Sequence, residues 1–481
     1  MERAVPYVEY DQRKIKRLGR RKMFQIYSIT EYGAVADGKT LCTKAVQRAV
    51  DLCHENGGGT VRFDRGRYAL STVFLKSNVR IEIPENVEIL GAESYYDYAQ
   101  EEKVDYPVYQ DSSHTYFYPS LFVGIDCENV CITGGGKIDM RSVWDEDGVR
   151  GAAIKHRGAK CIALKNCKKV EVSNLEINNA ADLAIYFAGC ENVDIYDIKM
   201  RVYIDGISPD NSKNVRIHDC DVETGDDGIV FKSSYTLNRL DICKDIHVWN
   251  CRVKSRCNAI KFGTETNGGF ENILIEDIDI KETRITGISI ESVDGAIVDG
   301  ITIRNVNMTN VNAPIFIHVG KRMRGPKGRD IGKIKNVLLE NITAQGPYEE
   351  YEIMPWNYFS YKADDRRQNP KIFGVAESFD GTKETDEWQM TSNICGLKES
   401  LLENITLKSV HLKLSGGVQE YKKEVPEEAQ DYPEVYVYGR ILPAKGIYFR
   451  HINGLTLDNV TVETYQEDKR QDFVFENVRS K

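Results

Sequence analysis

A short phrase recurs along this chain: two polar residues with Asn or Asp, then an alternating apolar run. It reads CENVCITGGGKI, CKKVEVSNLEI, CENVDIYDIKM, SKNVRIHDCDV, CKDIHVWNCRV, FENILIEDIDI, VDGITIRNVNM, IKNVLLENITA, LENITLKSVHL and NGLTLDNVTVE. Its anchors include Val130, Val170, Val193, Val215, Ile246, Ile273, Ile301 and Val337, and through the centre they fall roughly 22 to 31 residues apart. That is the period of a solenoid coil rather than of a βαβ unit.

Each unit holds two or three strands of period two, rich in Val and Ile and separated by Asn, Asp and Gly. No amphipathic helical pattern lies between them. Parallel strands usually need a helical crossover, and only short turns are available here, so the chain must coil. Stacked coils put one position of successive repeats about 4.8 Å apart, which turns internal Cys, Asn and apolar positions into ladders. The expected fold is all-β, a right-handed parallel β-helix with an N-terminal capping helix. The cap is TKAVQRAVDLCHENGGG, apolar at Ala45, Val46, Ala49, Val50, Leu52 and Cys53 and stopped by glycines. It would cover the open strand edges at one end of the solenoid. Residues 1–28 read as an extension and 29–481 as a single domain. A charged, aromatic insertion at about 347–445 is interrupted by one coil, LENITLKSVHLKLSG. Its Trp356, Tyr358, Phe359, Tyr361 and Trp388 suit either stacking on sugar rings or a hydrophobic cluster under a long loop.

Composition removes several classes. With 481 residues, 41% hydrophobic and 28% charged, the chain has the apolar content to build a core. A net charge of −9 gives no electrostatic footprint for nucleic acid. The basic run Arg13–Lys22 is read as a solvated helix or tail. No apolar run approaches a membrane span, and the N-terminus as written lacks a secretory h-region. The 12 cysteines are too sparse for a disulfide scaffold and none is paired at zinc spacing. Buried thiols in a cytoplasmic protein are expected, without metal or cofactor. Oligomeric state is not legible.

The stretch YGAVADGKT…AVQRAVDLCHENGGGTVRFDRGRYAL…FLKSNVRIEI, and above all YIDGISPDNSKNVRIHDCDVETGDDGIVFKSS, resemble glycoside hydrolase family 28, the polygalacturonase-like enzymes. The family's Asn-Thr-Asp-Gly falls on Tyr203-Ile204-Asp205-Gly206, and its Gly-Asp-Asp on Gly225-Asp226-Asp227. The resemblance covers roughly residues 30–345 and 446–475. It implies metal-free, inverting hydrolysis of α-linked galacturonic acid units, with Asp226 as general acid and Asp205 and Asp227 activating water. Two family motifs are altered. Asn258 stands where Gly-His-Gly has its His, and Ser289-Ile290-Glu291 replaces the Arg-Ile-Lys that grips a substrate carboxylate. Two cations and a histidine are gone and an anion has arrived, which points to a pectic side-chain or neutral-sugar linkage.

The residues alone point the same way. Asp205 and Asp226 are 21 residues apart, one coil, so they are expected on neighbouring rungs with Asp227 alongside. Three such carboxylates should not all ionise together at neutral pH. A glycosidase needs one carboxyl protonated for the leaving oxygen and another ionised for water. A plain turn or a calcium site is the competing reading. Lys232 and Lys261 are candidates to partner carboxylates or substrate, or to face solvent. Glu265 and Glu291 are candidate binders of sugar hydroxyls, a further acid/base, or surface charges. Asn258 can hydrogen-bond a sugar but cannot shuttle a proton as His does. His318, with Lys321 and Arg322 just beyond, is a candidate to restore positive charge, or is simply hydrogen-bonded. The partner is an oligosaccharide or polysaccharide, and no nucleic acid or membrane is expected. Two other classes stay open: a β-helix polysaccharide lyase and a non-catalytic glycan-binding solenoid.

Overall fold

The structure is a computed structural model that describes residues 25–110, 112–143, 158–346, 390–427 and 432–481. The strands pair in parallel, coil upon coil, into a right-handed parallel β-helix. The repeat anchors form one unbroken ladder. Val130, Val170, Val193, Val215, Ile246, Ile273, Ile301, Val337, Ile405 and Leu455 are successive register partners, all buried.

The Asn or Asp of the phrase has a backbone reason. Asn192, Asn214, Asp245, Asn272 and Asn336, each directly before an anchor, have φ between 53° and 60°. A second corner repeats this at Asn250, Asp277, Asn305 and Asn341. Left-handed backbone is disfavoured for most side chains and tolerated by Asn and Asp, so the coil turns where the phrase puts them. The amides also bond along the axis, Asn272 Nδ2 to Asp245 at 2.6 Å and Asn305 Nδ2 to Asp277 at 2.9 Å.

The helix Thr43–Glu55 buries Val46, Ala49, Val50 and Cys53 against the first coil. It stops at Gly57 and Gly58, where a Cβ on Gly58 would meet the Asn78 carbonyl oxygen at 2.4 Å. At the other end the coil expected from LENITLKSVHLKLSG forms as Leu402–Gly416, and the strand Ser392–Cys395 joins the solenoid before it, which the sequence does not suggest. The five excursion aromatics Trp356, Tyr358, Phe359, Tyr361 and Trp388, and the basic run Arg13–Lys22, lie outside the described residues. All 12 cysteines are buried free thiols.

One sheet carries the functional side chains. Its inward ladder runs Ile185, Ile207, Ile229, Ile260, Ile288 and Ile315. Phe231 stacks on Phe262 with centroids 4.6 Å apart. Residues alternating with these point outward, and there the sheet is covered from two sides. The short helix Ser112–Thr115 approaches from one side and the segment from Tyr432 to Leu442 from the other.

Candidate functional site

Asp205, Asp227 and Asn258 occupy one ladder position on three successive coils. The register is fixed by Ile207 opposite Ile229 and Ile229 opposite Ile260, and by bonds from Gly206 N–H to Asp227 O and from Gly228 N–H to Asn258 O. The rung neighbour of Asp205 is therefore Asp227. The 21-residue spacing to Asp226 falls one position short of the coil. Asp226 sits on the turn beside this ladder, less buried than the other two. Its carbonyl oxygen accepts from Thr224 Oγ1 at 2.7 Å and Ser255 Oγ at 2.6 Å, which fixes the turn.

Two buried lysines divide the site. Lys232 Nζ lies 3.1 Å from Glu265 Oε2 and 3.7 Å from Asp205 Oδ2, and donates to the Gly263 carbonyl at 3.2 Å. A bulge makes this possible. Phe231 pairs with Phe262 but Ser233 with Thr266, and the extra residues turn Glu265 onto Lys232. Gly263 in the bulge has φ 125°, and a Cβ there would come within 3.0 Å of Glu291 Oε2. Lys261 Nζ lies 2.6 Å from Glu434 Oε1, 3.6 Å from Asp227 Oδ2 and 3.7 Å from Glu291 Oε1. Asn258 Nδ2 donates to Asp227 Oδ1 at 2.8 Å and reaches Glu434 at 3.3 Å.

The electrostatics follow from burial and these partners. Burial pushes the Asp227 carboxyl well up; Lys261 opposes it, and Asp226, Asp205 and Glu434 add to it. Burial also raises Glu291 to about 7, with Lys261 opposing and Glu434 adding. Glu265 goes the other way. Burial works against its charge, yet Lys232, His114, Arg322 and Arg324 hold its carboxyl well below the usual range. Groups this close titrate together, so the proton belongs to the cluster rather than to one residue.

The structure chooses among the sequence alternatives. Lys232 and Lys261 are buried and partner carboxylates rather than facing solvent, and Glu265 and Glu291 are buried beside them rather than surface charges. Asn258 is buried too, and its amide donates to carboxylates. His318 restores no positive charge. It is buried, stacked on Phe316, hydrogen-bonded through Nδ1 to Tyr438 Oη at 3.2 Å, and burial depresses its pKa to about 3. Arg322 is neutralised by Asp294, with Nε at 3.0 Å and Nη2 at 2.5 Å, and Nη2 also reaches Thr264 O. Lys321 pairs with Glu399.

Two residues escaped sequence reasoning. His114 Nε2 lies 3.9 Å from Asp205 Oδ2, and Glu434 sits between Asn258 and Lys261. Both come from irregular segments, so no period ties them to the aspartates. As for a metal, oxygens of Asp226 and Asp227 and Cys257 Sγ lie within 4.8 Å of one another. Burial, with Asp226 and Asp227 adding, holds the Cys257 thiol well above its ordinary pKa, and a protonated thiol is a poor ligand.

Comparison with known proteins bears on the fold and the family. Over 265 residues the chain is 26% identical to a probable polygalacturonase from Vitis vinifera, covering 52% of this chain and 54% of that protein. Over 306 residues it is 23% identical to an exo-poly-alpha-D-galacturonosidase from Dickeya chrysanthemi, covering 53% and 50%. The chain thus spans about half the length of these curated relatives. The crystal structure of a hyperthermoactive exopolygalacturonase from Thermotoga maritima superposes with a TM-score of 0.65 at 18% identity, over 91% of this chain and 92% of that one, a likeness of fold. Residues 76–353 match the family described as glycosyl hydrolases family 28. That stretch is more than half of the sequence and contains Asp205, Asp226 and Asp227, and the chain belongs to family 28.

Proposed function

We propose that the protein is an inverting glycosidase acting on pectic or related oligosaccharides. The observation that carries this reading is the grouping of Asp205, Asp227 and Asp226 on adjoining coils of a family 28 chain. Asp226 and Asp227 hold one proton between them before reaction, as close carboxyls do. Asp226, the more open of the two, donates it to the glycosidic oxygen as the bond from C1 breaks. Water attacks C1 from the opposite face, and its proton passes to Asp205, with Asp227 orienting it. Lys232 offsets the charge on Asp205 before it takes that proton, and Lys261 the charge left on Asp227 once the pair has given its proton up.

The substrate reading is narrower than plain polygalacturonate. Ser289 and Glu291 occupy the place of the cations that would grip a carboxylate, and Arg322 is spent on Asp294. This favours a neutral sugar, or a side-chain linkage, next to the scissile bond. The name of one relative, the exo-poly-alpha-D-galacturonosidase, and the covered sheet favour exo action on short chains. A reducing, cytoplasmic setting is also proposed, supported by 12 free thiols.

The test is a product screen. Polygalacturonate, rhamnogalacturonan fragments and aryl glycosides are incubated with wild type and Asp226→Asn, with products read by mass spectrometry and the anomer by NMR. A sugar released with inverted anomeric configuration, and a rate about 10²–10⁴ lower in the variant, are expected. An unsaturated product would mean a lyase. Unchanged sugar, bound equally by both proteins, would mean a binding solenoid.

A further inference from the structure

Glu434 lies beyond residues 76–353 of the family match, yet its carboxylate is inside the site and 1% exposed. Local backbone bonds hold it there: its N–H donates to Tyr432 O, and its own carbonyl accepts from Val437 N–H. It takes the shortest contact that the Lys261 ammonium makes, 2.6 Å against 3.6 Å to Asp227 and 3.7 Å to Glu291. It also shares the Asn258 amide with Asp227. One ammonium thus stands among three carboxylates, closest to the one furthest away in sequence.

We propose that Glu434 is a positioning residue of the hydrolytic site, drawing the Lys261 ammonium off Asp227 so that the Asp226–Asp227 pair keeps the proton it must transfer. This rests on the hydrolase reading above. Asp227 is faced by Asp226 on its own turn, by Lys232 further along its own coil and by Asp205 from the preceding rung. From the following coil come Asn258, the Cys257 thiol and Lys261, and Glu434 comes from the covering segment. Glu434 is itself faced by Asn258, Lys261, Glu291, Cys257, Tyr432 and Tyr436. Lys261 is the cation within ion-pair distance of both carboxylates. With Glu434 uncharged, that ammonium closes on Asp227 and stabilises its ionised form, and the pair releases its proton at lower pH. A glycosidase that needs this proton then loses activity earlier as pH rises.

The test uses the full chain in three forms: Glu434→Gln, Glu434→Asp, and Glu434→Gln with Lys261→Met. The first readout is the pH profile of turnover on whichever glycoside the product screen identifies. The second needs no turnover: pH-difference infrared spectroscopy of the protonated carboxyl band, assigned by ¹³C-aspartate labelling and by its loss in Asp227→Asn. In Glu434→Gln the alkaline limb and the infrared midpoint both move down by about one pH unit or more. Glu434→Asp keeps both near wild type. The double variant, which removes the ammonium as well, moves both back up, a reversal that general destabilisation does not produce. An unmoved infrared midpoint in Glu434→Gln, or a midpoint that stays low in the double variant, overturns the proposal even if turnover falls uniformly. If wild type cleaves nothing, the hydrolase reading falls and the infrared titration still decides what Glu434 does.

Discussion

Glu291 and His318 are register partners on adjacent coils, both buried, and burial moves them in opposite senses. The Glu291 carboxyl keeps its proton up to about pH 7, against an ordinary value of 4.5. Between those values the unfolded chain binds fewer protons, so this residue makes stability fall as pH rises. His318 titrates at about 3 against an ordinary 6.5. Between those values the unfolded chain binds more protons, so stability rises with pH. From pH 4.5 to 6.5 the two slopes oppose. Relative to wild type, Tm should therefore fall across pH 3–6.5 in His318→Gln and rise across pH 4.5–7 in Glu291→Gln. Profiles of both variants running parallel to wild type would sink this account. At this scale the sequence showed which charged residues share a sheet, because Asp205, Asp227, Lys232, Lys261 and Glu291 ride on the repeat. It showed neither their burial nor their pairing. Those depend on His114 and Glu434, which lie in irregular segments that no period predicts.

The coil itself was legible at the level of the element, since its corner residues and its anchors obey one rule. Asn305 illustrates it: φ is 55°, Nδ2 donates to Asp277 at 2.9 Å, and Oδ1 accepts from Asn341 Nδ2 at 2.8 Å. Asn305→Ala should destabilise by about 1–2 kcal/mol, from left-handed strain and two exposed hydrogen bonds lost together. Asn305→Gly, free of the strain, should lose less than half of that. Denaturant unfolding of both variants measures the difference, and equal losses would assign the whole effect to the amide ladder. The capping helix was legible for a similar reason, its apolar face repeating at helical spacing up to a glycine stop. The strand Ser392–Cys395 was not. Four residues following an excursion are too short to display a period, and their place is set by pairing with His318 on one side and Arg450 on the other.

Over the whole molecule, charge decides which polymer can approach. The chain carries a net charge of −9. Around the candidate site, Asp205, Asp226, Asp227, Glu265, Glu291 and Glu434 face Lys232 and Lys261, while Arg322 is matched by Asp294. Even with protons on Asp227 and Glu291, the remaining carboxylates among the described residues outnumber Lys232, Lys261 and Arg324, which stands by Glu265. A polyanion such as polygalacturonate therefore approaches against the field of the protein, and salt screens that repulsion. If polygalacturonate is cleaved at all, kcat/KM should rise severalfold between about 0.01 and 0.15 M ionic strength, where the Debye length falls from about 30 to 8 Å. A neutral-sugar substrate of the same length should show almost no change. The opposite slope, activity on polygalacturonate falling as salt is added, would require a cationic subsite that attracts it. That result would move the substrate reading back to ordinary polygalacturonate despite Glu291.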